Sequence, residues 1–173
     1  MKQLKHLQKG FTLVELLVVI AVLGVLAAGV LVAIDPLQML ARGRDSAKKS
    51  AVTELGRALI AYQTSQNTLP TGAGWATTLQ GTGDIKAIPS NPDSTDCTIV
   101  GTATSDDGVE GGYCYESDPV TGEFIIYVRA ESRSESQKIN CTSPNIAYIA
   151  YSSVAGKTGL ACSNDLEPGA AVQ

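Results

Sequence analysis

The chain has 173 residues, 44% of them hydrophobic, with thirteen Lys or Arg against seventeen Asp or Glu and a formal net charge of −4. Its single histidine, His6, lies ahead of the first apolar run, which excludes a Ser-His-Asp or Cys-His centre in the remainder. There is also no Walker-type phosphate loop and no histidine-based metal motif, so the chain is read as non-enzymatic and free of cofactors.

Lys2, Lys5 and Lys9 open the chain, with no acid among residues 1–10. By the positive-inside rule this leader stays in the cytoplasm and the chain beyond the next segment is exported. From Leu16 to Ile34 no side chain is charged or hydrogen-bonding. As a helix, residues 11–34 would reach about 36 Å, against roughly 30 Å of bilayer hydrocarbon. The apolar residues fall on every side of that helix, so it is buried all round, in lipid or among other helices. A secretory leader removed after a 7–15-residue core is the competing account, and this run is longer than that. One residue breaks it. Glu15 sits a turn inside, where an unpaired charge costs at least about 2.5 kcal/mol. A cut between Gly10 and Phe11 would create an ammonium one helical turn away, in the same chain or on a neighbour in register; the exposed N–H groups of a helix start would favour the carboxylate too. A plain signal anchor with Glu15 near the headgroups is the alternative.

Lys9, Gly10, Phe11, Thr12, Leu13 and Glu15, followed by the uninterrupted apolar run, resemble the class III signal of type IV prepilins and type II secretion pseudopilins, the prepilin-type N-terminal methylation motif. The resemblance implies that a prepilin peptidase/methyltransferase cuts after Gly10 and N-methylates Phe11, and that Glu15 aligns subunits during assembly. It also implies a type IV pilin fold, an inner-membrane assembly platform and a cytoplasmic assembly ATPase as partners, and loosening of the helical spine within the interval from Gly24 to Pro36, with Gly24, Gly29 and Pro36 as hinge candidates.

Asp35-Pro36 interrupts the apolar helix and predicts a kink rather than a stop, since proline lacks an N–H and clashes with the preceding turn. The next stretch is amphipathic: Val52, Leu55, Leu59 and Tyr62 share one face, Ala47, Ala51 and Ala58 widen it, and Arg44, Lys48, Lys49 and Arg57 fall mostly elsewhere. Asn67 to Thr71, NTLPT, ends it. Residues 70–112, rich in Gly, Thr, Ser, Pro and Asp, read as a long structured loop with a short helical or extended piece around Trp75 to Leu79. The fragment DIKAIPSNPD within it is similar to the I-P-x-x-P segment of pilins and pseudopilins. Asp93, Asp96, Asp106 and Asp107 invite a calcium test because some pseudopilins hold calcium here, but no EF-hand spacing is present and solvated loop acids are the preferred reading.

Gly112–Glu116 and Glu123–Ala130 are rich in β-branched and aromatic residues and flank Asp118-Pro119-Val120-Thr121-Gly122, which predicts a hairpin. A third strand around Asn145 to Ser152 would complete a small antiparallel sheet on the amphipathic helix, a hairpin alone being marginal. Tyr113, Tyr115, Tyr127, Tyr148 and Tyr151 are read as packing residues. From Gly156 to Gln173 the chain is small and polar apart from Leu160 and Cys162, and fraying is expected after the last cysteine. Cys97, Cys114, Cys141 and Cys162 all follow the membrane helix, which suits disulfides in an oxidising compartment. Three pairings are possible; Cys97 with Cys114 and Cys141 with Cys162 each close a local loop and are preferred. From Asp84 onward thirteen acids face five bases, which argues against a sequence-blind grip on nucleic acid.

The expectation is therefore an α+β chain, a long bent N-terminal helix on a small antiparallel sheet, with a leader (1–10), a transmembrane and filament-core helix (11–35), an amphipathic half (36–67), an αβ-loop (68–112), and a sheet with a disulfide-bounded C-terminal loop (113–173). The function expected is a type IV pilus subunit that polymerises with itself, for adhesion, twitching motility or DNA uptake. It would be held in the inner-membrane lipid, head outward, before assembly and be extracellular afterwards. A secretion pseudopilin and a non-polymerising anchored binding protein are the alternatives.

Overall fold

The computed structural model describes residues 10–70, 72, 74–90, 108–142 and 146–173. They belong to two units, one ending at Met39 and one running from Leu40 to Gln173.

In the first unit α1 (Leu13–Ile34) stops at Asp35, whose φ of 45° and ψ of 73° are left-handed, and α2 (Pro36–Gln66) starts at the next residue. The expected kink thus takes the form of a one-residue break. Proline disfavours the right-handed helical conformation at the residue before it, and Asp is among the few residues that tolerate the left-handed one. The Asp35 carbonyl then accepts from the Gln38 and Met39 N–H groups at 3.1 and 3.3 Å. Gly24 and Gly29 lie within α1 and do not interrupt it.

In the second unit α2 buries Ala41, Asp45, Lys48, Ala51, Val52, Leu55, Gly56, Ala58 and Leu59. The apolar stripe is as expected at Val52, Leu55 and Leu59, whereas Tyr62 is half-buried and Ala47 is exposed and does not widen it. Lys48, assigned to the outer side, is 5% exposed. The helix ends at left-handed Asn67, and α3 (Trp75–Thr82) follows where a short element was anticipated. Its first N–H groups are satisfied from another element: Glu110 accepts from Ala76 N–H at 2.6 Å and Thr77 N–H at 3.1 Å.

The sheet has five antiparallel strands in sequential order, β1 (Gly108–Glu110), β2 (Tyr113–Asp118), β3 (Glu123–Arg129), β4 (Ala147–Ser152) and β5 (Lys157–Cys162). The hairpin and the third strand of the sequence reading are β2, β3 and β4; β1 forms inside the stretch read as loop, and β5 inside the C-terminal stretch read as small and polar, ahead of the residues expected to fray. Tyr115 faces Ile126 across β2 and β3, and Ile126 faces Tyr151 across β3 and β4. The predicted turn is held by Asp118, whose carboxylate accepts from Val120 N–H at 2.8 Å and the Thr121 hydroxyl at 2.9 Å.

Both faces of the sheet are covered. On one, Val52, Leu55 and Leu59 of α2 and Trp75 and Leu79 of α3 join Tyr115, Phe124, Ile126, Ile149 and Tyr151. An aromatic row crosses this face, with centroids 5.3 Å apart for Trp75 and Tyr115, 6.3 Å for Tyr115 and Phe124, and 6.2 Å for Phe124 and Tyr151. On the other, Ile125, Tyr127, Tyr148 and Ala150 are closed over by Leu166 and Val172. The tail is therefore ordered structure, contrary to the fraying expected. β3 is apolar at both parities, Phe124, Ile126 and Val128 on one side and Ile125 and Tyr127 on the other, so a bare second face would expose large apolar area. The five tyrosines are all buried, as expected of packing residues.

Between β3 and β4 lies a helix the sequence reading left out, α4 (Arg133–Ile139). Asp45, 1% exposed, accepts from the Glu131 and Ser132 N–H groups at 2.9 and 2.8 Å. Lys48 donates to the Arg129 carbonyl at 3.1 Å and pairs with Glu131, which also takes Arg44 at 2.5 Å. Lys49 and Lys138 both meet Glu135, at 2.7 and 2.6 Å. Burial pushes the Glu131 and Glu135 carboxyls up, but the lysine and arginine hydrogen bonds and charges together outweigh it and hold both below the usual carboxylate range. Cys141 and Cys162 are disulfide-bonded with Cα atoms 5.6 Å apart, and Cys114 is disulfide-bonded as well. Cys97, its expected partner, lies outside the described residues.

Candidate functional site: the N-terminal segment

Gly10 and Phe11 are exposed, Phe11 at 87%. Thr12 is the N-cap of α1 with extended backbone, φ −84° and ψ 151°. Its hydroxyl accepts from Glu15 N–H at 3.2 Å, while the Glu15 carboxylate accepts from Thr12 N–H at 3.0 Å and from the Thr12 hydroxyl at 2.9 Å. This reciprocal pair is a capping box. It gives the acid at the head of an apolar run a local partner: one of its oxygens accepts from the Thr12 N–H, which the helix start leaves without an intrahelical partner, and from the Thr12 hydroxyl. The sequence reading passed over Thr12 as a contributor, although Thr12-x-x-Glu15 ahead of an apolar run is a legible signal for it.

Beyond Glu15 the segment offers only hydrocarbon. Leu13–Val32 is long and apolar enough to cross a membrane, and none of it is buried among the described residues. A helix with so much uncovered apolar surface is not at rest in water. Among the described residues nothing within 4 Å would meet a Cβ added at Gly10, Gly24 or Gly29. Of the other sequence-predicted residues, Pro36 opens α2 and Cys141 and Cys162 lie together in the second unit; Asp93, Asp96, Asp106 and Asp107 fall outside the described residues. Among the described residues no group of three His, Cys, Asp or Glu side chains is placed to hold a metal ion.

The family model for the "Prokaryotic N-terminal methylation motif" matches residues 5–31, the stretch that holds Gly10, Phe11, the Thr12–Glu15 cap and most of α1. The chain carries the prokaryotic methylation motif. It is type IV pilin-like or pseudopilin-like, and the motif implies processing by a prepilin peptidase and a membrane or exported location. Proteins of this kind are generally structural and not enzymes. The match ends within α1, and no curated protein and no solved structure matches the chain. The fold of the pilin-like chain accords with the motif: an apolar helix continues into α2, and α2 packs on an antiparallel sheet in an α+β arrangement.

Proposed function

We propose that this pilin-like chain is the structural subunit of a type IV pilus, cut after Gly10, N-methylated at Phe11, and polymerised through its N-terminal helix. The observation that carries the reading is the apolar helix Leu13–Val32, long enough to cross a membrane and unburied among the described residues. Before assembly its cover is inner-membrane lipid, with the head outside the cytoplasm; after extraction by the assembly platform and its cytoplasmic ATPase, the cover is the same helix of other copies. Bundled helices form the filament core. Glu15, paired with the Phe11 ammonium of a neighbour, sets axial register, exchanging part of its bonding to Thr12 for a charged partner. The disulfide-tied head forms the outer surface, and its acidic excess keeps neighbouring heads from non-specific adhesion.

Replacing Glu15 with Ala tests this. The variant is expected to be made, inserted and processed but to give no filaments by electron microscopy; ordinary filaments would refute the role of Glu15. A secretion pseudopilin would use the same N-terminal chemistry. The pilus is preferred because the disulfide-closed head suits lasting exposure outside the cell, and immunogold labelling of surface filaments decides between the two.

A further inference from the structure

The charges of the head are sorted. Residues 40–49 and 129–139 together carry seven bases and three acids, whereas the rest of the chain from residue 40 onward carries three bases and twelve acids. Contacts between α2 and the segment that runs from the end of β3 into α4 hold the two basic stretches together: Lys48 reaches the Arg129 carbonyl, Arg44 and Lys48 meet Glu131, and Lys49 and Lys138 meet Glu135.

Within this set the acids lie inside and the bases outside. Asp45 and Glu135 are 1% and 7% exposed and Glu131 is half-buried, while Arg42, Arg44, Arg129, Arg133 and Lys138 are all exposed. The ion pairs also leave a surplus, because Glu131 and Glu135 each take two cations. The outer surface here is therefore cationic, on a head whose remaining charge is acidic.

Position in the chain says which anion lies nearest. The membrane-length helix ends at Val32, and Arg42 follows ten residues later, at most about 36 Å away even along a fully extended chain. A bilayer that holds the helix has its phosphates within reach of these bases, and Lys and Arg beside a membrane-spanning segment are drawn to anionic headgroups. The same bilayer repels the acidic remainder of the head, so attraction and repulsion select one orientation.

We propose that Arg42, Arg44, Arg129, Arg133 and Lys138 form a docking surface for anionic phospholipid headgroups, which holds this end of the head against the leaflet from which it emerges. The proposal rests on the membrane-held stage of the proposed function.

The test uses the full chain in lipid nanodiscs made from equal parts of phosphatidylglycerol and phosphatidylcholine. The discs are dissolved in detergent, the chain is repurified, and the lipids still bound are counted by mass spectrometry of the intact complex. The parent is expected to retain phosphatidylglycerol over phosphatidylcholine at least fivefold. Arg42→Gln combined with Lys138→Gln is expected to cut that preference at least threefold, as is repurification in about 1 M salt, where the Debye length falls to about 3 Å. Lys157→Gln removes the same charge from the end of the sheet opposite Arg129 and is expected to change nothing. Lys138 also pairs with Glu135, so Arg42→Gln alone, which breaks no ion pair among the described residues, is measured beside the double variant and is expected to lower the preference in the same direction. Equal retention of the two lipids by the parent, an undiminished preference in both variants, or an equal drop in Lys157→Gln overturns the proposal. So does displacement of the retained lipid by duplex DNA at matched phosphate concentration, which would assign the surface to nucleic acid. A chain that never enters the discs overturns the membrane-held stage together with the proposal, and that failure is visible before any lipid is counted.

Discussion

Two glycines of α2 differ in what a methyl group would meet, and that difference turns one substitution into two opposite outcomes. At Gly43 nothing lies within 4 Å of an added Cβ. At Gly56 the Cβ would enter the ring of Tyr151, 2.9 Å from Cδ2 and closer to Cγ and Cδ1, where ordinary contact begins near 3.4 Å. Those are atoms at the root of the ring, so the side chain cannot swing its far end aside. Tyr151 is 3% exposed and stacks on Phe124 at 17°, so relief means lifting α2 from the sheet. Overpacking of this kind costs about 1–3 kcal/mol, while glycine-to-alanine in a helix returns up to about 1 kcal/mol. Gly56→Ala is therefore expected to destabilise the head by about 1–2 kcal/mol, and Gly43→Ala to be neutral or stabilising by up to about 1 kcal/mol. Trp75 is the only tryptophan and is fully buried in the head, so its fluorescence during urea unfolding of the detergent-solubilised chain reports the head selectively. In a Tyr151→Leu background, Gly56→Ala should lose most of its penalty. Equal effects of the two alanines, or an undiminished penalty after the ring is removed, would refute the packing argument.

Asp45→Ala leaves two N–H groups at the start of α4 without their acceptor and strips a carboxylate from beside Lys48; a loss of about 2–3 kcal/mol is expected from the same urea experiment, with faster amide exchange across 131–136. The depressed carboxyls of Glu131 and Glu135 give the pH response a definite sign. Their folded pKa values lie below the unfolded ones, so their stabilisation is full above about pH 5, where the unfolded carboxylates are ionised, and is lost as pH falls through the folded values. Glu131→Gln should flatten the acid limb of head stability relative to the parent; a parallel limb would contradict the assignment.

What was legible in the sequence came from long runs and strong punctuation. The apolar run, the stripe of Val52, Leu55 and Leu59, and the hairpin around Asp118–Gly122 each owe their form to local chemistry, and each appears where the residues put it. The misses are non-local. α4 has no apolar stripe and is held by Lys49, through Glu135, and by Asp45, through the N–H groups of Glu131 and Ser132 at its start, 86 or 87 residues upstream, and helical periodicity does not show these partners. The tail looks polar and small, and only the double-sided apolar character of β3 hinted that Leu166 and Val172 had a face to cover. At the N-terminal segment Gly10, Phe11 and Glu15, singled out from the sequence, fall within the matched motif. The Thr12 cap, equally written in the spacing, is the local exception: the N–H groups of the helix start were expected to favour Glu15, but Thr12 as the reciprocal side-chain cap was not named.

The central claim is that this chain enters filaments as a processed, methylated subunit whose first residue is Phe11. The direct measurement is mass spectrometry of the N-terminal peptide of the protein in filaments sheared from the surface of its native cells. The account predicts a peptide beginning with N-methylated Phe11. A chain recovered only from the membrane fraction, with residues 1–10 still attached, would contradict it.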